Sequence, residues 1–110
     1  MKTNPFIKGS MQAIILNLLE QNGSMYGYEM TKAVREISKG KIVMNEAALY
    51  PALHKLEEQG ILSTEHKKVE GRMRKYYKLT SQGKKESSQL IHSFQDTIET
   101  LQKLLNPKFI

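Results

Sequence analysis

The spacing of apolar residues changes at Gly60 and changes back at Leu79. Before Gly60 they recur every three or four positions, the rhythm of helices with one buried face. From Ile61 to His66 and from Met73 to Leu79 the chain reads as extended. The polar stretch Lys67 to Arg72, which contains Gly71, joins these two runs as a hairpin. After Leu79 the helical rhythm returns and runs nearly to the end. At 110 residues the chain holds one domain with a modest core. The pattern therefore predicts an α+β, mostly helical fold: three helices, a β-hairpin and one long helix.

Local signals set the expected limits of each element. Residues 1–9, with Lys2, Pro5 and Lys8 and no period, read as an N-terminal arm. Ser10 is placed to cap a first helix whose Met11, Ile14, Ile15, Leu18 and Leu19 share one face, and Asn22, Gly23 and Ser24 end it. A second helix is expected from Gly27 to Lys39, with Met30, Ala33, Val34 and Ile37 inward and Gly40 after it. The third is NEAALYPALHKLEEQG, with Asn45 as cap, Gly60 as stop, and Leu49, Ala52, Leu53 and Leu56 as its stripe. Thr80 can cap the last helix, where Leu90, Ile91, Phe94, Ile98, Leu101, Leu104 and Leu105 are apolar. Ile91, Phe94, Ile98, Leu101 and Leu105 step by three and four alternately, the heptad rhythm of a helix–helix seam. Two heptads are too few for an isolated coiled coil but suffice to pack on a symmetry mate or on the first helix.

Three helices followed by a hairpin is the winged variant of the helix-turn-helix, whose second paired helix enters the major groove. The expected organisation is an arm at 1–9, a winged helix-turn-helix at 10–79 and a C-terminal dimerisation helix at 80–110. Charge sits where that fold needs it. Seventeen Lys and Arg against eleven Asp and Glu leave a net charge of +6, which favours an anionic partner. Lys67, Lys68, Arg72, Arg74, Lys75 and Lys78 stand on the hairpin against only Glu65 and Glu70. Strand alternation puts Arg72, Arg74, Tyr76 and Lys78 on one face and points Met73, Tyr77 and Leu79 at the core. Cations with an aromatic on a projecting hairpin suit phosphate and minor-groove contact, although a charged solvated turn has the same composition.

The third helix suits the groove. Ala47 and Pro51 are compact and permit close approach, while Asn45, His54 and Lys55 can hydrogen-bond bases or phosphates, with Tyr50 on the flank. A proline beyond the first turn removes a donor, so Pro51 can equally mark the true helix start, leaving Asn45 to Tyr50 as a loop.

Other classes fit poorly. The chain has no cysteine, hence no disulfide or thiolate chemistry, which suits a reducing compartment. The apolar run from Met11 to Leu19 is broken by Gln12 and Asn17 and is far too short to span a bilayer. No small-residue cleavage site follows it, so a mature, soluble, cytoplasmic protein is expected. His54, His66 and His92 fall on three different elements, which speaks against a metal site. Adjacent Glu57 and Glu58 point different ways on a helix, and neither a phosphate loop nor a nucleophile elbow is present. No enzyme activity, cofactor or metal is expected. The alternative from another class is a winged-helix module for protein–protein assembly.

The segments MYGYEM (Met25–Met30), NEAALYPALHKLEEQG (Asn45–Gly60) and GRMRKYYKLTSQGKK (Gly71–Lys85) together resemble the PadR-like transcriptional regulators in order and spacing. The resemblance spans roughly residues 10–85, and the chain is about as long as the short members with a single C-terminal helix. It implies a homodimeric winged-helix repressor of a palindromic double-stranded DNA operator, with recognition helix Asn45–Gln59 and wing Lys67–Arg74. It keeps Pro51 inside the helix, since Tyr-Pro is common there in the family. Tyr26 is implied near the DNA backbone or packed beneath the recognition helix, and Tyr28 is implied to pack. Ala48 departs from the usual threonine and Lys55 from the usual arginine. The implied DNA-binding set is Tyr26, Asn45, Ala47, Ala48, Tyr50, Pro51, His54, Lys55, Arg72, Arg74 and Lys75. Some short members stack flat aromatic compounds on tryptophans of the C-terminal helix at the dimer centre. This chain has no tryptophan, and Phe94 falls at about that position. Leu90, Ile91 and Ile98 could line the same space. Ala13 and Leu16 lie off the first helix's core stripe as a second apolar surface beside Gln12. The same seam also reads as plain dimer packing.

Overall fold

The computed structural model describes residues 5–106 of the chain. In chain order the elements are α1 (Pro5–Asn22), β1 (Ser24–Tyr26), α2 (Gly27–Ile37), α3 (Glu46–Glu58), β2 (Leu62–Val69), β3 (Arg72–Leu79) and α4 (Ser81–Leu104). This is the expected mostly helical α+β winged helix with an added C-terminal helix, and it contains one strand more than the hairpin.

Helix α1 begins five residues before the expected cap. Proline is well suited to a first helical turn, where its missing N–H is not needed, and Pro5 opens α1. Ser10 is no cap; it is buried mid-helix, and its hydroxyl donates to the carbonyls of Phe6 (2.8 Å) and Ile7 (3.0 Å). Residues 5–9 are thus helical rather than an arm, and residues 1–4 lie outside the described part. Met11, Ile15, Leu18 and Leu19 are buried as expected. Leu16 is buried too, at 1 % exposure, so it belongs to the core and not to a separate contact surface. The reason is that α1 packs against both α3 and α4, which covers more than one stripe of it.

The short β1 pairs with β3, Ser24 opposite Lys78, Met25 opposite Tyr77 and Tyr26 opposite Tyr76. The sheet is antiparallel in the order β1-β3-β2. Helix α2 stops at Ile37, short of Lys39, and the chain turns through Lys39 and Gly40, both at positive φ. Its buried stripe is Gly27, Met30, Thr31 and Val34. Ile37, expected inward, is 74 % exposed. The last turn of α2 overhangs the core there, and Met44 and Ile42 from the following loop pack against the core instead.

Helix α3 keeps its expected frame. The Asn45 side chain accepts from the Ala48 N–H at 2.9 Å, and Gly60 turns the chain at φ +77°. Pro51 lies inside the helix, which excludes the later start. Leu49, Leu53 and Leu56 are essentially unexposed, and such a leucine truncated to alanine costs about 2–5 kcal/mol.

The hairpin is longer and tighter than expected. Its turn is only Glu70 and Gly71, both at positive φ (+50° and +79°), as a two-residue type I′ turn requires. Tyr77 and Leu79 point into the core, but Met73 is 64 % exposed. The alternation holds; the hairpin simply projects past the end of the core before it reaches Met73. Thr80 then caps α4, accepting from the Gly83 N–H (2.9 Å) and donating to the Gly60 carbonyl (2.7 Å). Gly83 and Ser87 are the buried residues of α4, and Ser87 donates to Glu20 of α1 at 3.0 Å. Among the described residues no helix is long and apolar enough to cross a membrane.

Candidate nucleic-acid interface

The outward side of α3 is formed by Ala47, Pro51, His54 and Lys55, all exposed. Its apolar stripe faces inward, so the compact residues are forced out by helical geometry alone. His54 pairs with Glu58 at 3.6 Å with both side chains largely in solvent, a weak pairing that leaves the imidazole available. Asn45 spends its side-chain oxygen on the cap, which leaves its amide donors for other partners. Ala48 is half-buried and packs against the core rather than lying on the outer face.

Tyr50 stands 42 % exposed at the junction of α2, α3 and the wing. Its phenol lies against Gly27, where a Cβ would collide with it. Burial of the hydroxyl raises its pKa above the ordinary 10.0, with the carboxylate of Glu46 and then Tyr77 adding to the effect. Tyr50 therefore stays a neutral donor at physiological pH. A concavity of about 270 Å³ beside it is bounded by Tyr26, Tyr28, Met73, Arg74 and Lys75. Tyr28, expected to pack, is 54 % exposed at its rim. As the second residue of α2 it falls off the buried stripe that starts at Gly27.

The wing's cations divide between its two faces. Lys75 shares the α3-facing side with Thr64, and both reach Glu57 of α3, Lys75 at 3.5 Å and Thr64 at 3.2 Å. Arg74 lies on the other side, over the ring of Tyr26 with its Cζ 4.4 Å from the centroid. Tyr26 also meets Tyr76 edge-on at 5.3 Å, and the Lys67 ammonium sits 5.0 Å from the Tyr76 centroid. Arg72 is exposed next to the turn. Lys67 and Tyr76 are functional candidates that the implied DNA-binding set left out. The alternation of Tyr76 with Arg74 was legible, but the sequence puts Lys67 in the joining stretch rather than on β2, and Tyr26, which completes the cluster, arrives on a strand too short to show a period.

The residues expected around an effector do not form one site within the chain. Gln12, Leu16 and Leu90 line a groove of about 400 Å³ with Leu56, Ile61, Glu86 and Gln89. Phe94 lies apart from that lining, 5.9 Å from the ring of Phe6, and Ile91 and Ile98 are on the same helix. Ala13, Ile91 and Phe94 are half-buried, and Ile98 is at 36 %. No cluster of three metal-ligating side chains occurs among the described residues.

The family model for the transcriptional regulator PadR-like family matches residues 15–89. The chain belongs to the PadR-like family. A transcriptional regulator from Clostridium thermocellum has the same fold with a TM-score of 0.83 and 30 % identity, over 94 % of this chain and all of that one. A PadR family transcriptional regulator from Eggerthella lenta is similar at TM-score 0.77 and 25 % identity, over 94 % of this chain and 88 % of that one. The transcriptional regulator YqjI of Escherichia coli is 26 % identical over 105 residues, which are 96 % of this chain and 47 % of YqjI. This chain thus spans about half the length of YqjI. The chain is thus a winged-helix transcriptional regulator of the PadR-like family, and β2 and β3 form its wing.

Proposed function

We propose that this chain is a homodimeric repressor that binds a palindromic double-stranded DNA operator sequence-specifically and releases it on binding a small planar aromatic molecule. One observation carries the DNA reading: the outer face of α3 is compact at its centre, with Ala47 and Pro51 exposed and hydrogen-bonding His54 and Lys55 beside them. That face approaches base edges closely, Ala47 and Pro51 meeting thymine methyls and His54 reading bases. Asn45, Tyr50 and Tyr26 flank it, and Arg72, Arg74 and Lys75 meet phosphates. The dimer reading is supported by the stripe of Ile91, Phe94, Ile98, Leu101 and Leu105, which α1 leaves partly or largely uncovered. The effector would lie between the two Phe94 side chains, within reach of Gln12, Ala13 and Leu90; Leu16, buried in the core, is not a contact.

The test is binding of the purified protein to the DNA upstream of its own gene, as a salt series, with a scrambled duplex as control. Specific binding that weakens log-linearly with salt, by about 0.9 per phosphate neutralised, supports the repressor reading. Equal affinity for both duplexes sinks it and favours the protein–protein module. Arg74→Ala should weaken all duplexes alike, whereas His54→Ala should change sequence preference. Planar ligands that leave operator affinity unchanged, with Phe94→Ala altering dimer stability alone, would remove the effector.

A further inference from the structure

Two cations face each other across the wing. Lys67 and Arg74 are register partners on one face of the β2–β3 ladder, where like charges directly opposite repel. Among the described residues no carboxylate pairs with either. Each is held against a tyrosine ring instead, Arg74 over Tyr26 at 4.4 Å and Lys67 over Tyr76 at 5.0 Å. The two rings meet edge to face at 5.3 Å and 74°, so the four side chains form one stack.

The state of the guanidinium is informative. Arg74 Nε is buried without a hydrogen-bond partner, and no hydrogen bond or ion pair engages the rest of the group among the described residues. Stacking therefore orients the guanidinium, and its terminal N–H donors remain unspent. The ring beneath it is doubly anchored. Tyr26 is the last residue of β1, paired with Tyr76, and also the N-cap residue of α2, where its backbone N–H donates to Glu29 at 3.1 Å.

We infer that Tyr26 is a positioning residue that holds the Arg74 guanidinium uncompensated and aimed for a DNA phosphate, coupling the start of α2 to the wing. This rests on the DNA-binding reading above. It gives the separated motifs YGYE and RKYY one shared task. Retaining two opposed cations is costly unless an anion arrives, and pre-orientation spares the arginine most of the ordering cost on binding.

The test compares the salt dependence of operator binding among Tyr26→Phe, Tyr26→Leu, Arg74→Ala and the Tyr26→Leu/Arg74→Ala double variant. Arg74→Ala should flatten the slope of log affinity against log salt by about 0.9 and weaken binding about tenfold. Tyr26→Leu should reproduce most of that flattening with Arg74 intact. Tyr26→Phe, which keeps the ring, should keep the wild-type slope whatever affinity the lost hydroxyl costs, and the double variant should lose no more slope than Arg74→Ala. A Tyr26→Leu protein that keeps the wild-type slope, or additive losses in the double variant, overturns the inference and leaves the DNA reading standing. A wild type without salt-dependent DNA binding overturns both. Should Tyr26→Leu fail to fold, the Arg74 Nε–H resonance of the wild type decides. It should be ring-current shifted and protected from solvent exchange, and a freely exchanging proton at its unstructured position overturns the inference.

Discussion

The phenol of Tyr50 on α3 lies against Gly27, the first residue of α2, so closely that a Cβ on Gly27 would come within 2.8 Å of the ring carbon Cζ. The contact sets the distance between the opening of α2 and α3. Gly27→Ala should lower stability by about 1–3 kcal/mol in urea unfolding, since an aromatic ring must shift to admit the methyl group. Adding Tyr50→Ala should relieve part of that, giving a double variant that loses less than the sum of the singles. Gly83→Ala should cost more than Gly27→Ala, because its Cβ would meet the backbone carbonyl of Ile61, which cannot rotate away.

The raised pKa of Tyr50 gives stability an alkaline dependence. The folded state holds this proton at pH values where the unfolded chain has lost it. The contribution is complete below the unfolded value near 10.0 and is lost as pH rises from there through the folded value. Tyr50→Phe has no such proton. Its urea midpoint should therefore fall less steeply than the wild type's above pH 10, with no difference in slope at neutral pH.

Glu70 occupies the first position of the wing turn at φ +50°, a conformation that costs a side-chain-bearing residue about 1 kcal/mol and that asparagine tolerates. Glu70→Asn should raise the thermal midpoint and remove one carboxylate from the wing. Tighter DNA binding at low salt should accompany it, narrowing as salt rises. An unchanged midpoint would mean that the turn relaxes at no cost.

Among the described residues the far half of α4 adds no buried side chain to the core: Leu101 is half-buried, Ile98 is 36 % exposed and Leu104 69 %. Ile98→Asp combined with Leu101→Asp should therefore leave the winged helix folded, with helical content retained in circular dichroism. If the chain dimerises through α4 as proposed, sedimentation should show the dimer lost and operator affinity reduced, because a palindrome then meets one reading head instead of two. Unfolding instead would place these residues in the protomer's own core.

Much of this was legible locally. Asn45, Thr80 and Gly60 carry their chemistry in the residue itself: a side-chain oxygen for orphan N–H groups, or freedom to adopt positive φ. The inward stripe of α3 and the paired runs of the hairpin follow from helical and strand periods. The errors share one cause. Ser10, Ile37 and Met73 each obey the period or preference that placed them, but the core ends before Ile37 and Met73, and α1 starts before Ser10.

Period states which way a side chain points and not whether anything stands there to cover it. Coverage is a property of neighbouring elements, so Leu16 became core when α3 and α4 both closed on α1. The same holds for the wing. Alternation put Arg74 and Tyr76 on one face, yet Tyr26 joins them through a three-residue strand that exists only because β3 offers it an edge. Local chemistry decided the elements and the compact outer face of α3; long-range pairing decided that an arginine of the wing rests on the tyrosine that opens α2.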